Sequence, residues 1–140
     1  MADFISHKEE VLDKVRKATE DALKLVGGEA ERYAKETISD MGAVDTGFLR
    51  NSITYAISGQ SAAAGAYQDD AGTQHGQYAG TAPDEGGSQL SVWIGTNVYY
   101  APYVEMGTVK MKARPFLNTA VNAHSDEYKK LFDQAFDHYF

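Results

Sequence analysis

Apolar and small residues recur at close to helical spacing from Asp3 to Met41: Phe4, Val11, Val15, Ala18, Ala22, Val26, Ala30, Tyr33, Ile38 and Met41. A period near 3.6 residues marks one face of a helix. The other face carries Glu10–Lys14, Asp13–Lys17, Glu20–Lys24 and Glu31–Lys35, i,i+4 pairs with the acid first, which is the favoured order. A solvated charged face is the simplest reading of them. The pattern predicts a helix over residues 1–41. Gly27-Gly28 interrupts it at roughly 1 kcal/mol per glycine relative to alanine, so a kink or a division in two is expected there. Unbroken, such a helix spans ~57 Å at ~1.5 Å per residue. That exceeds the diameter of a domain this small, so part of it should project or pack on a neighbour.

Gly42 ends the helical pattern, and Val44-Asp45-Thr46-Gly47 reads as a turn. From Ser52 to Ser58 the period drops to two, with Ile53, Tyr55 and Ile57 on one side. This predicts a strand with one buried face. Leu90 to Gly95 repeats the pattern, with Leu90, Val92 and Ile94 inward and Trp93 on the opposite face. Between them, residues 59–89 are rich in Gly, Ala, Gln and Asp and nearly devoid of large aliphatics. They read as a long flexible loop insertion, mobile alone or shaped by a partner. In the aromatic run from Val98 to Thr108, Pro102 is placed to open a single helical turn that Gly107 closes. Pro115 suits the first position of a last helix over 114–139. Its stripe runs through Phe116, Leu117, Ala120, Val121, His124, Tyr128, Leu131, Phe132, Ala135, Phe136 and Tyr139. The stripe reaches so near the chain end that the end should be docked, either on the first helix or on a neighbouring subunit. The expectation is an α+β fold: a long N-terminal helix, a small antiparallel sheet with a long loop between two strands, and a C-terminal amphipathic helix packed on the sheet. Residues 1–140 should form one domain.

Composition narrows the function. The 140 residues include no cysteine, so disulfides and thiolate metal sites are excluded. No run approaches the ~18 apolar residues of a membrane helix, and the N-terminus lacks a signal-peptide pattern. No membrane association is expected, and synthesis in the cytoplasm is. The net charge of −7 argues against gripping nucleic acid by its phosphates. A passage through which DNA slides is compatible with that charge, because weak grip helps there.

Catalytic patterns are missing. There is no phosphate-binding glycine loop, His-Glu-x-x-His or Gly-x-Ser-x-Gly. His7, His75, His124 and His138 are scattered without ligand spacing. His124, on an apolar stripe, reads as a packed histidine rather than a metal ligand. Asp69-Asp70 and Asp84-Glu85 sit in a glycine-rich stretch that supplies no rigid frame. Glu105 stands among apolar neighbours. Its simplest role is to accept backbone N–H bonds near the Gly107-Thr108 turn. A small hydrolase using Glu105 or Asp45 is the less favoured reading. No catalytic, cofactor-binding or metal-binding residue is assigned.

Three segments carry a family resemblance: Asp45-Thr46-Gly47-Phe48-Leu49-Arg50-Asn51-Ser52-Ile53, then Val92 to Thr108 with Tyr99-Tyr100-Ala101-Pro102-Tyr103-Val104-Glu105-Met106-Gly107-Thr108, then Arg114-Pro115-Phe116-Leu117 and its helix. In this order and at this spacing the chain resembles the tail-component family of tailed phages typified by gene product ten of a lambdoid phage. It departs from the family pattern in its long 59–89 segment and its short connection from Thr108 to Arg114. The resemblance implies a structural virion protein, made in the host cytoplasm, of the neck or tail-completion class. Such a protein joins the DNA-filled head to the tail as a ring, with no catalysis and no cofactor. The alternative is a tail terminator or another non-enzymatic oligomeric interaction module. The implied partners are further copies of the chain, a hexamer as first expectation, and adjacent head-closure or adaptor and tail-terminator or tail-tube proteins. DNA passes nearby without specific binding. The expected structural and interface residues are Asp45, Gly47, Leu49, Arg50, Tyr100, Tyr103, Glu105, Gly107, Thr108, Arg114, Pro115 and Phe116. Among them, Asp45 would cap its turn, Arg114 would pair with Glu105, and Phe116 would anchor the last helix.

Overall fold

The first helix runs without interruption. In the computed structural model, which describes residues 2–41, 48–60, 65–68, 71, 74–78, 82, 90–96, 98 and 100–140, α1 spans Ala2–Asp40. Neither glycine divides it. Gly27 is buried where the sheet crosses the helix: a Cβ there would lie 2.5 Å from Tyr55 Cδ2 and 2.7 Å from Val92 Cγ2. Packing the sheet this close offsets the intrinsic cost of glycine in a helix. Ala18, Ala22, Ala30, Ala34 and Ile38 are buried along the same helix, whereas residues 8–17 are all exposed. Of the charge pairs expected, Glu31–Lys35 closes at 3.7 Å, while Glu20 is engaged by Arg16 at 3.6 Å.

Among the described residues, two short helical turns and two small sheets follow. The chain continues through α2 (Phe48–Ser52), β1 (Thr54–Ile57), β2 (Gly65–Gln68), β3 (Gln74–Tyr78), β4 (Val92–Gly95) and α3 (Ala101–Met106). β1 and β4 pair antiparallel with Tyr55 opposite Ile94, Ala56 opposite Trp93 and Ile57 opposite Val92. Ser52 belongs to α2 rather than to the strand, which starts two residues later. Ile53 and Ile57 are buried as the alternation requires, but so is Ala56, whose register partner Trp93 stays 41% exposed. A methyl group opposite an indole is readily covered, which the binary pattern does not capture. Within residues 59–89, β2 and β3 form a second antiparallel pair, with Gly65 opposite Tyr78 and Gln68 opposite Gln74. The composition there announced only a loop; β2 lies against α2.

The last helix is two. α4 (Phe116–Ala123) and α5 (Ser125–Asp137) meet at His124, whose φ of −122° and ψ of 22° leave the helical region. The Tyr128 hydroxyl donates to the Ala120 carbonyl at 2.6 Å, satisfying one of the groups the break releases. Both helices pack chiefly on α1 and not, as expected of the last helix, on the sheet, because their apolar stripe meets the small-residue face of the long helix. Pro115 takes the capping position of α4, one residue before the place its φ preference suggested. The architecture is α+β, as the sequence implies. The main core gathers Ala34 and Ile38 of α1 with Leu49, Ile53, Val98, Ala101, Phe116 and Ala120.

Candidate assembly surface and the motif core behind it

The three sequence segments converge on one buried cluster. From the first come Leu49 and Ile53, from the second Val98 and Ala101, and from the third Phe116, which is fully buried. Ser52, also fully buried, donates from its hydroxyl to the Leu49 carbonyl at 2.6 Å and shares a 2.6 Å hydrogen bond with the Thr96 hydroxyl. Thr96 Oγ1 in turn accepts the Val98 N–H at 3.1 Å. A buried polar group is tolerated when it is bonded in this way. Arg50 is half-buried and reaches Asn51 Oδ1 from Nε at 3.2 Å. Asp45 and Gly47 lie outside the described residues.

α3 links the second and third segments. Pro102 stands in its first turn and Gly107 closes it at φ 79°, its N–H donating to the Tyr103 carbonyl at 2.8 Å. That left-handed conformation suits glycine, and a Cβ at Gly107 would lie 2.7 Å from the Ala113 nitrogen. Glu105 does accept backbone N–H groups, but from Leu117 at 3.1 Å and Asn118 at 2.8 Å. These are free amides of the first turn of α4, a helix with no side-chain cap of its own. A carboxylate there also meets the positive end of the helix dipole. The expected Arg114 ion pair does not form: among the described residues Arg114 engages α3 through its main chain, with its N–H donating to the Val104 carbonyl at 2.8 Å. Two backbone donors already satisfy the carboxylate and remove the need for a guanidinium. Tyr100 is half-buried and packs against the core, whereas Tyr103 is 57% exposed.

Beyond this core, α3 and its following turn point outward. Met106 is 78% exposed and Val109 wholly so. The turn is closed by Thr108 N–H to the Met111 carbonyl at 2.8 Å and the reciprocal bond at 3.3 Å, and Thr108 Oγ1 accepts the Lys110 N–H at 3.2 Å. A second exposed apolar group, Val11 and Leu12 with Val15 beside them, lies on the uncovered part of α1.

Along the seam between α1 and α5 lies a groove of about 540 Å³, lined by Leu25, Gly28, Tyr33, Tyr55, Tyr128 and Leu131 and rimmed by Lys24, Lys130, Glu29 and Glu127. At one end His124 stacks on Tyr33 with ring centroids 3.5 Å apart and planes 7° from parallel. Its role is packing, as its place on the stripe suggested. The Tyr33 hydroxyl donates to Glu127, which raises the tyrosine's pKa and lowers that of the carboxylate. Burial pushes Tyr128 up to about 12. Arg32 forks onto Glu29 and Glu36 at 2.8 and 2.7 Å, and the hydrogen bond to Glu29 raises its pKa further. At the other end the Tyr139 hydroxyl donates to Asp21, and Phe132, Phe136 and Phe140 stack in succession with centroids 5.9 and 5.1 Å apart. The chain end is thus docked on the first helix, the internal one of the two partners expected.

These groups are tied to one another by the Tyr33–Glu127 hydrogen bond, the Tyr33–His124 stack and the Arg32–Glu29 ion pair. Among the described residues no set of His, Asp and Glu is arranged to hold a metal ion, and no helix is long and apolar enough to cross a membrane. His124 and Glu105 were singled out by sequence, but the groups they engage, the Tyr33 ring and the Leu117 and Asn118 amides, were not. A backbone amide has no signature in sequence, and Tyr33 read only as one more apolar position of the first helix.

The sequence model of the family described as "Bacteriophage HK97-gp10, putative tail-component" matches residues 2–107. The match takes in α1, the first segment and the second as far as Gly107, while Arg114 to Leu117 and the two C-terminal helices lie beyond it. No match emerges among curated proteins or among solved structures.

Proposed function

The chain belongs to the bacteriophage HK97-gp10-like tail-component family, and on that footing we propose that it is a non-enzymatic subunit of the virion neck, forming a ring that joins the head to the tail. The observation that carries this reading is how the motif side chains are used. Ser52, Glu105 and Phe116 are consumed in bonding and packing within the subunit. The large apolar residues beside them, Tyr103, Met106 and Val109, face solvent. A chain that makes its distinctive residues structural and leaves large apolar groups outside is built to be covered by neighbours. The ring is a homo-oligomer, a hexamer by expectation, seated between head-closure and tail-terminator or tail-tube proteins. DNA passes it without specific contact, in keeping with the net charge of −7.

Imaging particles with the subunit located tests this. A closed ring at the junction of head and tail is the expected result, together with unjoined heads and tails when the gene is deleted. A single isolated copy per particle would refute the ring, and a location at the far end of the tail would refute the neck assignment.

A further inference from the structure

We propose that the turn after α3 is the knob by which one copy docks on the next, and that it seats on the acidic surface of the neighbouring copy. This rests on the ring reading above and names one of the two surfaces such a ring needs. The turn is held ready. Two backbone hydrogen bonds between Thr108 and Met111 close it. Gly107, at φ 79°, brings its base against Ala113. The Arg114 N–H ties the returning chain to the Val104 carbonyl of α3 at 2.8 Å. A pre-organised surface loses little conformational freedom when it binds. Its tip is apolar, with Val109 fully exposed beside Met106 and Tyr103.

Charge identifies the occupant. Residues 106–125 contain Lys110, Lys112 and Arg114, three of the chain's 13 Lys and Arg, and none of its 20 Asp and Glu. The other 120 residues hold 10 Lys and Arg against 20 Asp and Glu, so the knob is basic on a molecule that is otherwise acidic on balance. Another copy of the same chain is a partner whose surface complements it, and complementary charge steers encounter and fixes register. Because knob and landing surface are different patches, the contact is head-to-tail. Repeated contacts of that kind close into rings, whereas a patch that meets itself yields a two-fold dimer. An exposed valine and methionine at the tip have nothing to gain from DNA phosphates, so a protein surface is the fitting partner.

The test uses the full-length chain and three forms: wild type, Lys110→Glu/Lys112→Glu, and Val109→Asp. All substituted positions are exposed, so thermal melts should coincide and separate assembly from folding. Sedimentation across concentration and salt should show wild type associating, and less so as salt rises. Each variant should associate at least tenfold more weakly. Zero-length carbodiimide coupling in a mixture of light and heavy isotope copies should join Lys110 or Lys112 of one copy to a carboxylate of another. If the variants form the same oligomer as wild type, the ring survives and the knob is wrong. If wild type stays monomeric at every concentration, and particles carry it singly, the ring reading itself fails and the knob with it. If labelled duplex DNA binds wild type and not Lys110→Glu/Lys112→Glu while association is untouched, the basic turn serves DNA and the proposal is overturned.

Discussion

The two halves of α1 share an apolar spacing and meet opposite environments. From Ala18 to Ile38 nearly every turn has a buried residue, mostly alanine, whereas residues 8–17 are exposed throughout although they include Val11, Leu12 and Val15. Where the chain's own elements approach the helix, most of the buried residues are small: Ala18 and Ala22, then Gly27 under the sheet, then Ala30 and Ala34, before the larger Ile38. Small side chains let a helix or sheet come close, and close packing is where dispersion contacts accumulate. Along residues 8–17, where the chain's own contact is the Phe140 ring 5.1 Å from Lys14 Nζ, the apolar residues are large and exposed. Small residues therefore mark most of the self-packed half, with Ile38 its large buried member, while Val11, Leu12 and Val15 mark the projecting one.

The sharpest break in that comparison comes from the self-packed side. Phe116 is fully buried against Ala34, Ile38, Leu49 and Ile53. Phe116→Ala removes a ring from the point where all three motif segments meet, at an expected cost of about 3–5 kcal/mol. Total stability of a domain is only about 5–15 kcal/mol, so a large loss of soluble protein and a lowered midpoint in denaturant titration are expected. An unchanged midpoint would mean the core is not where it is described.

A finer cut lies between adjacent glycines. A Cβ at Gly27 meets Tyr55 and Val92, while at Gly28 it meets nothing within 4 Å. Gly27→Ala gains about 1 kcal/mol of helix propensity but overpacks against a ring and a stiff valine, typically at about 1–3 kcal/mol. Gly28→Ala makes the gain without the clash. The first should destabilise and the second should stabilise by up to about 1 kcal/mol. Opposite shifts in melting temperature confirm the crossing point, and equal shifts dispose of it.

The role of Glu105 is measured on the same scale. Glu105→Ala strips the cap from α4, at about 0.5–2 kcal/mol. Glu105→Gln should cost less, because the amide oxygen still accepts. Arg114→Ala should stay within about 0.5 kcal/mol, as for surface substitutions, since its main chain makes the contact to Val104. A large effect at Arg114 in a denaturant series would restore the ion pair.

Most of the frame was legible because it depends on periodicity and punctuation. The long helix, the β1–β4 pair and the turn between Pro102 and Gly107 each have such a signal. The break at His124 has none: Val121, His124 and Tyr128 continue the stripe as if the helix ran on. β2 and β3 are built from Gly-Ala-Tyr-Gln and Gln-His-Gly-Gln-Tyr, in which no large aliphatic alternates. The glycine pair misled because propensity was weighed without the sheet that Gly27 admits. The proposed Glu105–Arg114 brace came from opposite charges close in sequence, while the true donors were amides of α4.

The smallest effect on stability is expected where the comparison began. Val11 and Leu12 are 55% and 57% exposed, so little of either side chain is withdrawn from water within one copy. Hydrophobic stabilisation follows the apolar area removed from water, and exposed sites away from caps and packing usually change stability by less than about 0.5 kcal/mol. Val11→Ser/Leu12→Ser should therefore leave the melting temperature of the isolated chain nearly unchanged. Serine is a slightly poorer helix former than leucine, and the same substitutions to alanine remove that contribution. Coincident melts for wild type, the serine pair and the alanine pair fit a helix that owes its stability to the half beyond Lys17. A fall of several degrees in the serine and alanine pairs alike would mean that residues 8–17 pack on their own chain, and the contrast between the two halves of α1 would then be wrong.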